Sequence, residues 1–129
     1  MSSAAGEKPH KKLLAWQRSL DLYVEIHRLT RDFPANERYL VAQIRGAALS
    51  APSNIAEGAA DQSRDQFKSF LGYAIRSLNE VETQLEAARR VGLVADAEAA
   101  RIAGLLDECL RLTYGLKRSL LQCCWPAHC

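Results

Sequence analysis

The sequence predicts an all-α fold: an antiparallel up-down-up-down four-helix bundle whose second helix is kinked at Pro52. Three observations predict it. Apolar residues recur at steps of three and four along four long stretches, the period of a helix with one buried face. Helix stop and start signals fall between those stretches, at Pro34, Ser63 and Gly92, where such signals belong. The connections are short, so consecutive helices are expected to be antiparallel neighbours.

The first helix is expected over about Leu13 to Asp32. Leu13, Trp16, Leu20, Tyr23 and His27 form one stripe, and Leu22, Ile26, Leu29 and Phe33 form a second. One stripe serves the core; the other reads as an interface between subunits. Pro34 ends the helix by restricting Phe33. Asn36 is the expected N-cap of the second helix, with Glu37 in its first turn. That helix ends near Gly58 to Ala60. The third helix opens on a capping box, Ser63 and Gln66. Phe67, Leu71, Ala74, Leu78, Val81, Leu85 and Ala88 then alternate steps of four and three as a heptad seam. Asp65 with Lys68, Arg76 with Glu80, and Glu86 with Arg90 read as surface pairs. Gly92 follows the helix as its C-terminal glycine. The fourth helix runs from about Asp96 to Leu121, with Ile102, Leu106, Cys109, Thr113, Leu116 and Leu120 as its seam, widened by Leu105 and Leu112.

At 129 residues the chain is one domain, long enough to bury a core. A hydrophobic content of 48% and a charged content of 25% are those of a soluble globular protein. Residues 1–12 read as a flexible basic tail, 13–121 as the bundle and 122–129 as a Cys-rich C-terminal tail. The net charge of +2 does not demand a polyanionic partner. The opening residues carry no apolar run of a signal peptide, and no stretch is long enough to span a bilayer. The expected location is therefore the cytoplasm, with no membrane partner.

The stretch from Gln43 to Gly58 organises the chain. Ile44, Ala47, Ala48, Ala51 and Ile55 give it one apolar face of mostly small residues, which lets helices approach closely. Pro52 lacks an N–H and crowds the preceding turn, so a kink is expected, with Ser53 or Asn54 bonding a freed carbonyl. Gln43, Arg45, Asn54 and Glu57, with Ser77 and Glu80 on the third helix, read as a polar network between helices or as a subunit interface. Polar groups so placed need partners, since an unpaired buried one costs roughly 1–3 kcal/mol.

This stretch resembles the signature of the four-helix-bundle proteins encoded in intervening sequences of bacterial 23S ribosomal RNA genes. Gln43, Ile44, Arg45, Ala47, Ser50, Pro52, Asn54, Ile55, Ala56, Glu57 and Gly58 carry the resemblance. It continues through Trp16, Tyr23, Phe33 and Pro34 upstream, and through Phe67, Phe70, Leu71, Ala74, Ser77, Leu78, Glu80 and Glu82 downstream. It departs at Gly46, where that family usually has a second arginine. The resemblance implies a ring-like homopentamer. It also implies kinship with the accessory variability protein of diversity-generating retroelements, which binds a reverse transcriptase and nucleic acid.

The expected function is a non-enzymatic oligomeric scaffold that binds nucleic acid, RNA ahead of DNA, and/or a protein partner such as a reverse transcriptase. The alternative is a purely structural protein–protein interaction module. Candidate nucleic-acid contacts are Lys8, Lys11 and Lys12 in the tail, Arg18 and Arg45 on the first two helices, and Arg89, Arg90, Lys117 and Arg118 on the last two. No catalytic residue is expected, because no nucleophile, base and orienting group fall together. No metal or cofactor is expected either. Cys123, Cys124, His128 and Cys129 are too cramped for the spaced ligand pairs of zinc sites. There is no Glu-x-x-His of a di-iron bundle, and Cys109 lies on a core seam.

Overall fold

The computed structural model describes residues 8–60 and 63–121, and all regular structure among them is helical. Four α-helices carry the fold: α1 (Leu14–Thr30), α2 (Arg38–Ala60), α3 (Arg64–Arg90) and α4 (Asp96–Ser119). Two short 3-10 turns, Pro9–Lys12 and Ala35–Glu37, precede α1 and α2. Each α-helix packs on its sequence neighbours and α1 also packs on α4, whereas among the described residues the Cα atoms of neither diagonal pair come within 8 Å of each other. The result is a four-helix bundle.

Helix α3 follows its seam. Phe67, Leu71, Ala74, Leu78, Val81, Leu85 and Ala88 are all buried, with Ile75 beside them. Ser63 caps the helix: its Oγ accepts the Gln66 amide at 3.3 Å. Gly92 ends it in the left-handed region at φ 86°. There the Leu93 amide reaches the Ala88 carbonyl at 2.9 Å and the Gly92 amide reaches the Arg89 carbonyl at 3.0 Å. That pair of bonds is the Schellman closure, which needs a residue tolerant of positive φ.

Helix α1 differs from expectation. Its buried face is Ala15, Ser19, Leu22, Ile26 and Thr30. Of the two stripes, the second lies inside the fold: Leu22 and Ile26 are core, and Leu29 and Phe33 pack against core clusters. Leu13, Trp16 and Tyr23 of the other stripe flank the core, and His27 is exposed. Small residues at 15 and 19 let α1 sit close, so the second stripe and Leu13, Trp16 and Tyr23 of the first pack within one subunit.

The core has three layers. One end joins Ala15 of α1, Ile55 of α2, Phe67, Leu71 and Ala74 of α3, and Leu120 beyond α4. The middle is built on Leu22, Ile26, Ile44, Leu78, Val81, Ile102 and Leu106. The other end joins Ala88, Val94 and Ala99 with Leu29, Phe33 and Leu40. Cys109 is buried in the middle layer, and burial pushes its thiol up to about 11, outweighing the Ser19 hydroxyl beside it. It is a packed, unreactive group.

Candidate nucleic-acid interface

The polar residues of the organising stretch divide into two separate groups. Thr30, buried at the end of α1, donates its hydroxyl to the Ile26 carbonyl at 2.8 Å. Arg45 donates Nε to that same hydroxyl at 2.9 Å and an Nη to the His27 carbonyl at 3.3 Å. A guanidinium thus satisfies the last carbonyl-rich turn of α1, where a cation also suits the helix dipole. The second group lies a turn and more along α2. Asn54 Nδ2 donates to the Ser50 carbonyl at 2.9 Å and to Ser50 Oγ at 3.0 Å. Ser77 Oγ on α3 donates to Ser50 Oγ at 2.9 Å.

The carbonyl that Pro52 leaves without its N–H partner is that of Ala48, four residues back. Asn54 serves the Ser50 carbonyl instead, and α2 is one continuous helix through Pro52. Gln43, Glu57 and Glu80 are exposed, and among the described residues Glu80 accepts only from Gln84, at 3.4 Å. The six residues Gln43, Arg45, Asn54, Glu57, Ser77 and Glu80 do not form one network. Ser50 and Thr30, outside those six, are the two hubs.

Gly58 closes the stretch with a packing role. A β-carbon there would stand 2.7 Å from Phe70 Cβ and 2.9 Å from Phe67 Cδ1. Only glycine allows α2 and α3 this close. Gly46 is the opposite: it is exposed, with nothing within 4 Å of where a β-carbon would stand.

The nine candidate cations also divide. Arg18 binds Glu108 across to α4 at 3.0 Å and Asp21 on its own helix. Arg89 binds Glu86 at 2.8 Å and Asp96 at 3.1 Å, and Arg90 shares Glu86 at 2.8 Å. The hydrogen bonds from Arg89 and then Arg90 hold the Glu86 carboxyl down to about 2. Arg18 likewise keeps Glu108 below the usual carboxylate range. Arg45 is committed to Thr30 and His27. Among the described residues, Lys8, Lys11, Lys12, Lys117 and Arg118 enter no ion pair.

These five gather at one end. Leu13 and Trp16 at the start of α1 pack in the same cluster as Leu116 and Leu120 at the finish of α4. Residues 8–12, which the sequence assigns to a flexible tail, are folded onto that end. Pro9 opens a 3-10 turn, the His10 ring meets Trp16 edge-on at 4.8 Å, and Gln17 Nε2 donates to the Lys11 carbonyl at 2.8 Å. Two exposed side chains were passed over in the sequence, Tyr73 and Tyr114, and Arg76, read there as a partner of Glu80, lies over the Tyr73 ring. The available signal was an aromatic residue lying off the core seam.

Among the described residues no three His, Cys, Asp or Glu side chains gather as a metal site. The considered ligands Cys123, Cys124, His128 and Cys129 lie outside the described residues. No helix among them is long and apolar enough to cross a membrane. A family model described as 23S rRNA-intervening sequence protein matches residues 11–115. No curated protein matches the chain.

Proposed function

The chain belongs to the 23S rRNA-intervening sequence protein family, and from that premise we propose that it is a non-enzymatic, oligomeric scaffold that binds RNA through one end of its bundle. The observation that carries this reading is the sorting of its cations. Of the nine candidates, Arg18, Arg89 and Arg90 are paired with carboxylates and Arg45 is held by Thr30 and the His27 carbonyl, whereas Lys8, Lys11, Lys12, Lys117 and Arg118 are left together at one end; among the described residues Arg31, Arg38, Arg76 and Arg111 also enter no ion pair, without joining that group. Unneutralised cations on one face are what phosphate attracts. An antiparallel up-down-up-down course, with a bend at Pro52, is part of the proposal. It is supported by core layers that join helix starts to the finishes of their neighbours.

Oligomerisation is supported by a different face. Outward positions of α2 from Tyr39 through Ala42, Gln43, Gly46 and Leu49 to Ser53 carry no charge, and Tyr39 is 75% exposed. A surface helix of a solitary domain normally presents charge to water. A ring of such subunits multiplies the basic end, and a protein partner such as a reverse transcriptase is part of the proposal.

The test is the salt dependence of binding to a labelled structured RNA, measured by fluorescence anisotropy. Lys11→Ala/Lys12→Ala/Lys117→Ala/Arg118→Ala is expected to weaken binding. The slope of log K against log salt should fall by about one for each phosphate that the variant no longer neutralises. Arg28→Ala/Arg90→Ala, which removes two ion-paired cations, is expected to change neither. Equal effects from both variants, or no binding by the parent protein at low salt, would overturn the reading and leave a protein–protein module.

A further inference from the structure

Two tyrosines stand in the open where a charged residue would be ordinary. Tyr73 on α3 and Tyr114 on α4 are each 45% exposed. Tyr73 is braced from below by Phe70, edge-on with centroids 5.8 Å apart and planes at 84°. The Arg76 guanidinium lies over its ring at 4.8 Å. Sequence spacing favours a pair between Arg76 and Glu80, but the structure gives Arg76 the ring and Glu80 the Gln84 amide. On α4, Lys117 extends across to α3, its ammonium 3.5 Å from where a Gly72 β-carbon would stand.

That crossing fixes the level of the four side chains. Arg76 is one turn along α3 from Gly72, and Tyr114 is one turn back along α4 from Lys117. With neighbouring helices antiparallel, both turns lead the same way from the Gly72–Lys117 crossing. Tyr73, next to Gly72, and the other three side chains thus lie within about a turn of one crossing between adjacent helices, with Tyr73, Arg76 and Tyr114 exposed and Lys117 half-buried. Among the described residues neither cation has a carboxylate partner.

From this juxtaposition we infer that the face shared by α3 and α4 holds unpaired nucleotides, with bases stacked on Tyr73 and Tyr114 and phosphates against Arg76 and Lys117. The inference rests on the nucleic-acid reading above and narrows its ligand. A duplex hides the faces of its bases and offers phosphate alone, so it satisfies the cations and leaves the rings idle. A single strand uses both, because every base has a π-face and stacking tolerates any sequence. Stacking reads the base and not the sugar, so RNA and DNA strands of one sequence present the same grip.

The experiment uses the full chain and three labelled probes of about 12 nucleotides, within the range of single-strand sites: oligouridylate, oligodeoxyuridylate and an RNA duplex. Tyr73→Ala and Tyr114→Ala are each expected to weaken the single strands by about 5- to 100-fold and to leave the duplex unchanged. Tyr73→Phe and Tyr114→Phe are expected to keep wild-type affinity. Unchanged thermal melts establish that the variants fold. Wild-type affinity for oligouridylate in both alanine variants overturns the inference, as does an equal loss on the duplex or a strong preference for one sugar. If the end-face variant still loses RNA in that case, the broader reading stands without this one. Failure of every probe to bind removes both.

Discussion

Replacing Gly58 by alanine tests the tightest contact in the bundle. The added β-carbon would meet Phe70 Cβ at 2.7 Å, Phe67 Cδ1 at 2.9 Å and the Phe67 carbonyl oxygen at 3.4 Å. Carbon atoms pack best at about 3.5–4.0 Å, so α2 and α3 must part by about 1 Å. Phe70 Cβ is one bond from the backbone and cannot swing aside. Overpacking of this kind costs about 1–3 kcal/mol. Alanine recovers up to about 1 kcal/mol of helix propensity in a helix interior, and less here, because α2 ends at Ala60. The expected net loss is about 1–2 kcal/mol, or roughly 3–10 °C in Tm for a domain of this size. Gly46→Ala is the internal control on the same helix. Nothing lies within 4 Å of its β-carbon position, so propensity acts alone and stability should rise by about 0.5–1 kcal/mol. Urea melts followed by circular dichroism at fixed protein concentration decide it. If both variants shift stability in the same direction, the close crossing is not what selects glycine at 58.

Arg45→Ala should cost about 1–3 kcal/mol in the same melts, because buried Thr30 loses its donor, and Arg45→Lys should not fully restore it, since two divergent bonds need the planar fork; RNA affinity should hold. Ser50→Ala removes the acceptor shared by Asn54 and Ser77 and should cost about 1 kcal/mol, with Ser50→Ala/Ser77→Ala less than additive. Glu86, held down to about 2 by Arg89 and Arg90, should titrate near that value by NMR. Its folded pKa lies below the unfolded value of about 4.3, so its contribution is present above that pH and is lost as pH falls toward 2. The stability difference between the parent and Glu86→Gln should accordingly vanish over that window.

The seam of α3 was fully legible because large apolar residues at heptad spacing leave a single solution. The face of α1 was not. Its buried positions include Ala15, Ser19 and Thr30, and a reading weighted by large side chains passes over them. Thr30 is burial-tolerant only because its hydroxyl bonds back to Ile26 and accepts Arg45, a partner 15 positions away. The same limit explains the cations. The pairing of Arg90 with Glu86 is a one-turn spacing visible in the sequence. Arg18 with Glu108 and Arg101 with Glu25 join the first and last helices, and no local pattern announces them. Long-range partners were what committed Arg18 and Arg45, and the sequence alone could not set them apart from Lys117 and Arg118.

The organising stretch and the proposed binding end therefore answer to different pressures. Arg45 closes the end of α1, Ser50 with Asn54 and Ser77 ties α2 to α3, and Gly58 sets how near they come. Each of these roles is satisfied inside one subunit, and none leaves a charged group over for a ligand. A signature built of such residues identifies a fold and is silent about what the fold carries. The residues open to a ligand lie elsewhere: Lys117 and Arg118 sit just past the matched span of 11–115, and Lys11 and Lys12 at its first positions. Substitutions in the stretch should move stability without moving salt-dependent binding. Substitutions at the end should do the reverse, and a protein in which the two sets traded effects would have its function in the signature after all.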